Sequence, residues 1–439
     1  MRLINKNFFY NAEKVLFYTF IFSIPFQLRK ILFIFSDRFI EWNSAFLYFT
    51  DLILFGIFAL WARRAIKEKR KIFEKTDILV LTFLFFVLFS LIVSQNRILG
   101  LYQFIKIGEC VLLFLYIKHN SGIFKLEIIV KTIIASGFIQ AVLAIVQFLN
   151  QSSLGLKYFE AGIYNRYLPG VATFLVNGVK IVRAYGTLPH PNILAVFLLV
   201  SIFCLYYLWL TKKREKDKKT FFIVLSVVYF VLVLALMFTF SRSVIFIFLA
   251  ASLFLFLTKI ISNSAKKRAL ELFILFVVIF SLNVIFLWPE IYARFFEVSP
   301  KEQAVTLRVY YNDIALEIIK KSPILGIGAG NFVWFLYQNF QFKETWLYQP
   351  VHNLFLLIAS EIGILGLIFF ILFLIQVIFY KIKTLEFKKI ISNSFLLLFL
   401  SFLVLGLIDH YFWTIQQSRL LFWFVLGLLY SQGGFKEKS

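Results

Sequence analysis

The chain reads as an all-α, polytopic integral membrane protein with about twelve transmembrane helices and a long extracytoplasmic loop containing short amphipathic helices. Three observations predict this. Of 439 residues, 61% are hydrophobic and 16% charged, whereas a soluble domain is roughly 45–50% apolar and about 25% charged. Mean hydropathy is +0.85. The apolar residues gather in runs long enough to cross about 30 Å of hydrocarbon, with basic clusters between them. Such a composition excludes a disordered chain, a collagen-like chain, a disulfide scaffold and a soluble enzyme.

The runs place spans near 15–35, 44–62, 77–94, 98–117, 126–149, 190–211, 220–239, 243–261, 270–288, 352–380, 392–409 and 416–431. The first is interrupted by Arg29 and Lys30 and reads as an uncleaved helix, because no small-residue cleavage site follows it. The units are then 1–150 (helices one to five), 151–189 (outer loop), 190–288 (helices six to nine), 289–351 (large outer loop) and 352–439 (helices ten to twelve).

Charge tests the count. The 46 basic and 23 acidic residues leave +23. Beside apolar runs this excess fits cytoplasmic loops and not nucleic-acid binding. With both termini inside, the inward segments, among them 63–75, 212–219, 262–269 and 381–389, hold about 27 Lys and Arg in about 68 residues. The outward segments hold about 13 in about 124. Cys110 and Cys204 fall inside apolar runs, as small buried hydrophobes do.

In the large outer loop, residues 306–321 space Leu307, Tyr311, Ile314 and Ile318 on one helical face, with Thr306 as the expected cap and Pro323 as the stop. The run Gly326-Ile-Gly328-Ala-Gly330-Asn331 is not a nucleotide loop and reads as a flexible turn. Lys106 and Glu109, three apart, are spaced to pair on one face of the fourth span.

No Walker loop, H-E-x-x-H or G-x-S-x-G motif occurs, and no cofactor is expected. The informative residues are polar groups at the outer ends of spans: His190, His352, Asp409 and His410, with Arg183, Arg242 and Arg308. The histidines and Asp409 have no ligand spacing in sequence, so no metal is expected. Glu361 lies nine residues after His352, half a helical turn out of phase with it. Arginine forks neutralise diphosphate oxygens without a metal, and a neutral histidine takes a proton from a hydroxyl. Together they suit transfer of a group from a lipid diphosphate to an alcohol. A transporter of lipid-linked sugar, the competing class, would concentrate polar residues at the midplane on repeated, broken helices.

Four stretches carry a family resemblance: Arg183 to Ala195 (RAYGTLPHPNILA), Thr239 to Ser243 (TFSRS), Arg308 followed by Pro323 to Phe332 (PILGIGAGNF), and His352 to Gly366 (HNLFLLIASEIGILG). In this order they resemble the O-antigen ligase and polymerase superfamily of bacterial envelope glycosyltransferases. The resemblance spans about residues 180–380. It implies a bacterial inner-membrane enzyme with a periplasm-facing cavity, and an inverting, metal-independent transfer of a glycan from undecaprenyl diphosphate to a lipid or glycan acceptor. It implies catalytic roles for Arg242 and Arg308 as diphosphate binders and for His352 as activator of the acceptor hydroxyl. Arg183, His190, Asn192, Asn353 and Glu361 are the expected substrate-binding residues. Ser243 departs from the family, which often has Gly after Ser-Arg. Lipid A-core ligase, repeat-unit polymerase and protein O-oligosaccharyltransferase all remain open within the family.

Overall fold

A computed structural model describes all residues except 1, 161, 163, 213–218, 262–264, 298–302, 385–393 and 432–439. Part of the basic sequence assigned to the inward side, in 212–219, 381–389 and the tail, therefore lies outside the described residues.

The helices in chain order are α1 (Arg2–Ser23), α2 (Phe49–Glu68), α3 (Ile78–Phe89), α4 (Arg97–Asn120), α5 (Leu126–Asn150), α6 (Pro191–Thr211), α7 (Lys219–Phe238), α8 (Arg242–Ile261) and α9 (Lys266–Phe286). Then come α10 (Trp288–Phe295), α11 (Gln303–Lys321), α12 (Phe332–Asn339), α13 (Leu354–Thr384), α14 (Ser394–Gly406), the single turn α15 (Tyr411–Thr414) and α16 (Gln416–Leu429). Among the described residues, eight helical segments are long and apolar enough to cross a bilayer: Lys75–Ile92, Arg97–Ile123, Leu126–Asn150, Pro191–Thr211, Lys219–Phe238, Arg242–Ile261, Lys266–Phe286 and Leu354–Thr384. This is fewer than the expected twelve, although a helix forms near every expected position. α14 and α16 have 13 and 14 residues, short of the roughly 20 a span needs. All of α16 is buried, as in a core helix. α6 is buried on nearly every side and forms the centre of the bundle, with α5 and α7 against it.

The first expected span is corrected. α1 stops at Ser23, two residues before Pro25, because the residue ahead of a proline is disfavoured in a helix. The β-branched and aromatic residues after it form a strand, β1 (Arg29–Ile34), paired antiparallel with β2 (Ser44–Tyr48). Arg29 pairs with Glu41 across the hairpin. A second hairpin, β3 (Thr173–Val176) and β4 (Val179–Val182), turns at Asn177-Gly178. The all-α expectation thus gains two small sheets.

α11 starts three residues before Thr306, so Thr306 is not its cap; Pro323 lies two residues past its end, as expected. Tyr311, Ile314 and Ile318 are buried on its expected apolar face. Lys106 lies 3.6 Å from Glu109, but it also pairs with Asp51 of α2. That long-range partner cannot be read from spacing within one helix.

The glycine run at 326–331 is not loose. α13 is interrupted at Gly363 (φ 79°, ψ 171°), and the interruption is filled by this loop. Ile327 N donates to Ser360 O (3.0 Å), Gly328 N to Glu361 O (2.8 Å) and Ile364 N to Pro323 O (2.8 Å). The Glu361 carboxylate accepts from Gly330 N (2.8 Å), Phe332 N (3.3 Å) and Trp413 Nε1 (2.7 Å). The approach leaves no room for side chains: a Cβ on Gly363 would lie 1.9 Å from Ile324 O, and one on Gly326 2.4 Å from Ser360 O. Gly363→Ala therefore combines left-handed strain of about 1–3 kcal/mol with a backbone clash. Its thermal midpoint in detergent should fall by several degrees, whereas Gly108→Ala, where the new methyl meets nothing within 4 Å, should match the parent. Equal midpoints for both variants would show that the interruption is not a fixed clamp.

Candidate functional site

The segment leading into α6 is tied down first. Gln147 Oε1 accepts from Gly186 N (2.7 Å), and Gln140 Oε1 from Thr187 N (2.9 Å), so α5 holds residues 186–187 in place. His190 caps α6: its Nδ1 accepts from Asn192 N (3.1 Å), and Pro191 takes the first helical position, where a missing N–H is harmless. The buried Arg183 then reaches two ways. Its Nε donates to Thr239 O (2.6 Å) and its Nη2 to Asn192 Oδ1 (2.7 Å). Asn192 Nδ2 donates onward to Asp409 Oδ2 (3.2 Å). A polar chain thus runs from the T-F-S-R-S turn through Arg183 and Asn192 to Asp409, joining three distant parts of the sequence.

At its far end, Asp409 meets His410 and His352. Among the described residues these three offer donor atoms that all lie within 4.8 Å of one another. The His352 ring stands edge-on to His410, with centroids 5.0 Å apart, and lies nearly parallel to Tyr311 of α11 at 6.4 Å. His410 Nδ1 shares a hydrogen bond with Thr414 Oγ1 (2.7 Å), and the Trp42 ring packs edge-on against it at 5.3 Å. His352 Nδ1 is buried and has no hydrogen-bond partner among the described residues.

Arginines lie near this group. Arg242 is the first residue of α8. Beside it Ser241 is buried, its hydroxyl without a partner. Burial pulls Arg183 down to about 9, and Arg294, Arg242 and Arg308 push it the same way against the raising effect of Tyr185, so each of the three lies within electrostatic reach of Arg183. Arg308 also acts on His352, Asp409 and His410. Arg294 ends the short helix α10 and was not singled out from sequence; its only signal was a basic residue in a last turn.

Protonation follows burial. Desolvation drives His410 down to about 3, with His352 and Arg308 adding to it and Asp409 opposing. His190 is pushed down to about 3 by burial and then by Arg183. His352 is lowered by burial, against the raising effect of Asp409 and with that of Arg308. Burial alone would raise Asp409, but His410, His352, Arg308 and His190 outweigh it and hold the carboxyl below its ordinary value. At neutral pH the group is one carboxylate between neutral imidazoles.

Two expected substrate binders are engaged by the protein. Asn353 Oδ1 caps α13 by accepting from Phe355 N and Leu356 N (3.0 Å each), and its Nδ2 donates to Leu407 O (3.0 Å), leaving at most one amide hydrogen for a ligand. Glu361 holds the glycine loop, and its carboxylate is satisfied by the three donors described above.

Fold and site define a helical membrane protein with a group of arginines near two histidines and a buried carboxylate. Residues 227–371 match the family model described as O-Antigen ligase, a stretch from α7 to α13 that includes Arg242, Arg308 and His352. That match supports the O-antigen ligase and polymerase superfamily as the family of this chain, and with it a glycosyltransferase-type activity on lipid-linked glycan. No curated protein matches the sequence.

The three clustered donors meet the count for a catalytic zinc site, which sequence spacing did not suggest. Arg308 beside them opposes a dication by Coulomb repulsion. Purified protein should therefore carry well under one equivalent of transition metal by elemental analysis. One retained equivalent that disappears in His352→Ala would establish a metal centre.

Proposed function

We propose that the protein transfers a glycan from undecaprenyl diphosphate to an acceptor hydroxyl at the periplasmic face of the bacterial inner membrane, with inversion and without a metal, its termini in the cytoplasm. The observation that carries this reading is His352: half-buried, its Nδ1 without a hydrogen-bond partner among the described residues, beside Asp409 and within electrostatic reach of Arg308.

The donor diphosphate occupies the arginine side. Arg242 and Arg308 neutralise its oxygens, and the N-terminus of α8 with Ser241 adds hydrogen-bond donors. Arg183 and Asn192 support this side through their bonds to Thr239 and Asp409. His352 Nδ1 accepts the proton of the acceptor hydroxyl as its oxygen bonds to the anomeric carbon. The bond from that carbon to the diphosphate breaks, and the diphosphate leaves with the electron pair, stabilised by the arginines. The imidazolium formed is held by Asp409, and attack from the face opposite the leaving group inverts the centre.

A purified protein given lipid-diphosphate glycan and an acceptor should form the glycosylated product, read by mass. Arg242→Lys and Arg308→Lys should each lose most of this activity, because lysine keeps the charge but not the bidentate fork. His352→Ala should lose about 10²–10⁴ in single-turnover rate while still binding donor. Full turnover in His352→Ala would remove it from the chemistry.

The pH dependence has a definite sign. A base whose pKa lies below its usual value remains neutral to lower pH, so the acid limb of the rate profile should fall below pH 6.5, the ordinary histidine value. Asp409 raises His352. Asp409→Asn should therefore move the limb to still lower pH while reducing the plateau. A limb that moves upward would show that Asp409 does not act on the titrating group.

A further inference from the structure

A second concavity opens beside the histidine site. One wall is the turn after β1, with Asp37 and Arg38; the other is α12 and the chain leading from it to Tyr348. The cleft is open to the surface and offers about 810 Å³, within the range of small-molecule sites and enough for several sugar rings. It runs toward the chemistry: the Phe340 and Phe342 rings pack 6.1 and 6.3 Å from Tyr310, whose neighbour Tyr311 lies over His352.

Its walls are fixed across the length of the chain. Tyr337 OH donates to Asp37 Oδ2 (2.8 Å), and Asp37 N donates back to the same hydroxyl (3.3 Å). Arg38 Nη1 reaches Lys343 O (3.4 Å). Tyr348 OH donates to Phe340 O and accepts from Phe342 N, both at 3.0 Å. A ligand entering the cleft would not have to order it.

The chemistry is mixed in a particular way. Trp334 and Tyr337 lie 5.7 Å apart, Phe342 and Tyr348 4.9 Å, giving a series of ring faces. Gln338 and Gln341 are exposed at the rim, and no hydrogen bond engages their amides among the described residues. An acyl chain would leave these amides, Arg38 and Lys343 without a match. A pyranose presents apolar C–H faces ringed by hydroxyls, which suits aromatic platforms bordered by amides. We infer that this cleft binds the glycan chain of the substrate, holding sugars beyond the one that reacts. The inference rests on the transferase reading for the identity of the chain, but glycan binding here does not depend on turnover.

The test titrates full-length protein in detergent with hexasaccharides released by mild acid from the lipid-linked glycan of the source cells, read by calorimetry and saturation-transfer NMR. Wild type should bind. Trp334→Ala and, as an exposed change that leaves packing intact, Gln341→Ala should each weaken binding by about two- to ten-fold. No binding by wild type, or unchanged binding by both variants, overturns the proposal even if the enzyme transfers glycan. Binding with the expected losses supports it even if the transfer assay fails. In nanodiscs with brominated phospholipid, quenching of the fluorescence that Trp334→Phe removes would identify the cleft as a lipid-facing surface and overturn it.

Discussion

A helix interrupted among apolar neighbours exposes backbone N–H and C=O groups that no solvent satisfies, and each left unpaired costs several kcal/mol. The interruption of α13 at Gly363 meets this constraint by taking the 323–332 loop into the gap. The consequence reaches both ends of that loop. Upstream it fixes where α11 ends, and so the position of Arg308 and Tyr311. Downstream it fixes α12, whose following segment delivers His352. Glu361 closes the arrangement by binding the loop backbone and the Trp413 indole together, which brings the α15 turn, and with it Asp409 and His410, toward His352. A residue that resembles a functional carboxylate thus does its work through geometry.

The second constraint is electrostatic. Arg294, Arg242 and Arg308 each act on the buried Arg183, and like charges brought close repel. The fold keeps them together through directional bonds, as when Arg183 is held by Thr239 O and Asn192 Oδ1. Asp409 supplies negative charge at the margin of the group. An anion approaching this positive field would be attracted to it. The same positive field, with burial, keeps the histidines neutral and able to accept a proton.

The sequence determined the helices because apolar runs and helix stops are local properties. α4 through α9 lie where hydropathy places them, and the apolar face of α11 follows its periodicity. Hydropathy overextended the first span because it counts apolar residues and not their conformation. Burial of α16 on every side is a property of packing that hydropathy does not give. The residues of the candidate site were also legible: costly polar groups at helix ends are few and stand out against so apolar a chain.

Their relationships were not legible. Nothing in the spacing of Asn192, Asp409 and His352 says that they meet, because the contacts close loops of about 50 to 200 residues. The glycine run reads as flexible in isolation, since glycine permits many conformations. Only the backbone of α13, supplied by another part of the chain, selects one. The partners of Asn353 and Glu361 are invisible for the same reason: a polar side chain shows none until the protein's own donors and acceptors are in place. Residue chemistry and helix placement were thus set by sequence, and the partner of each polar group was decided by tertiary structure, because hydrogen bonding and electrostatics depend on distances that only folding creates.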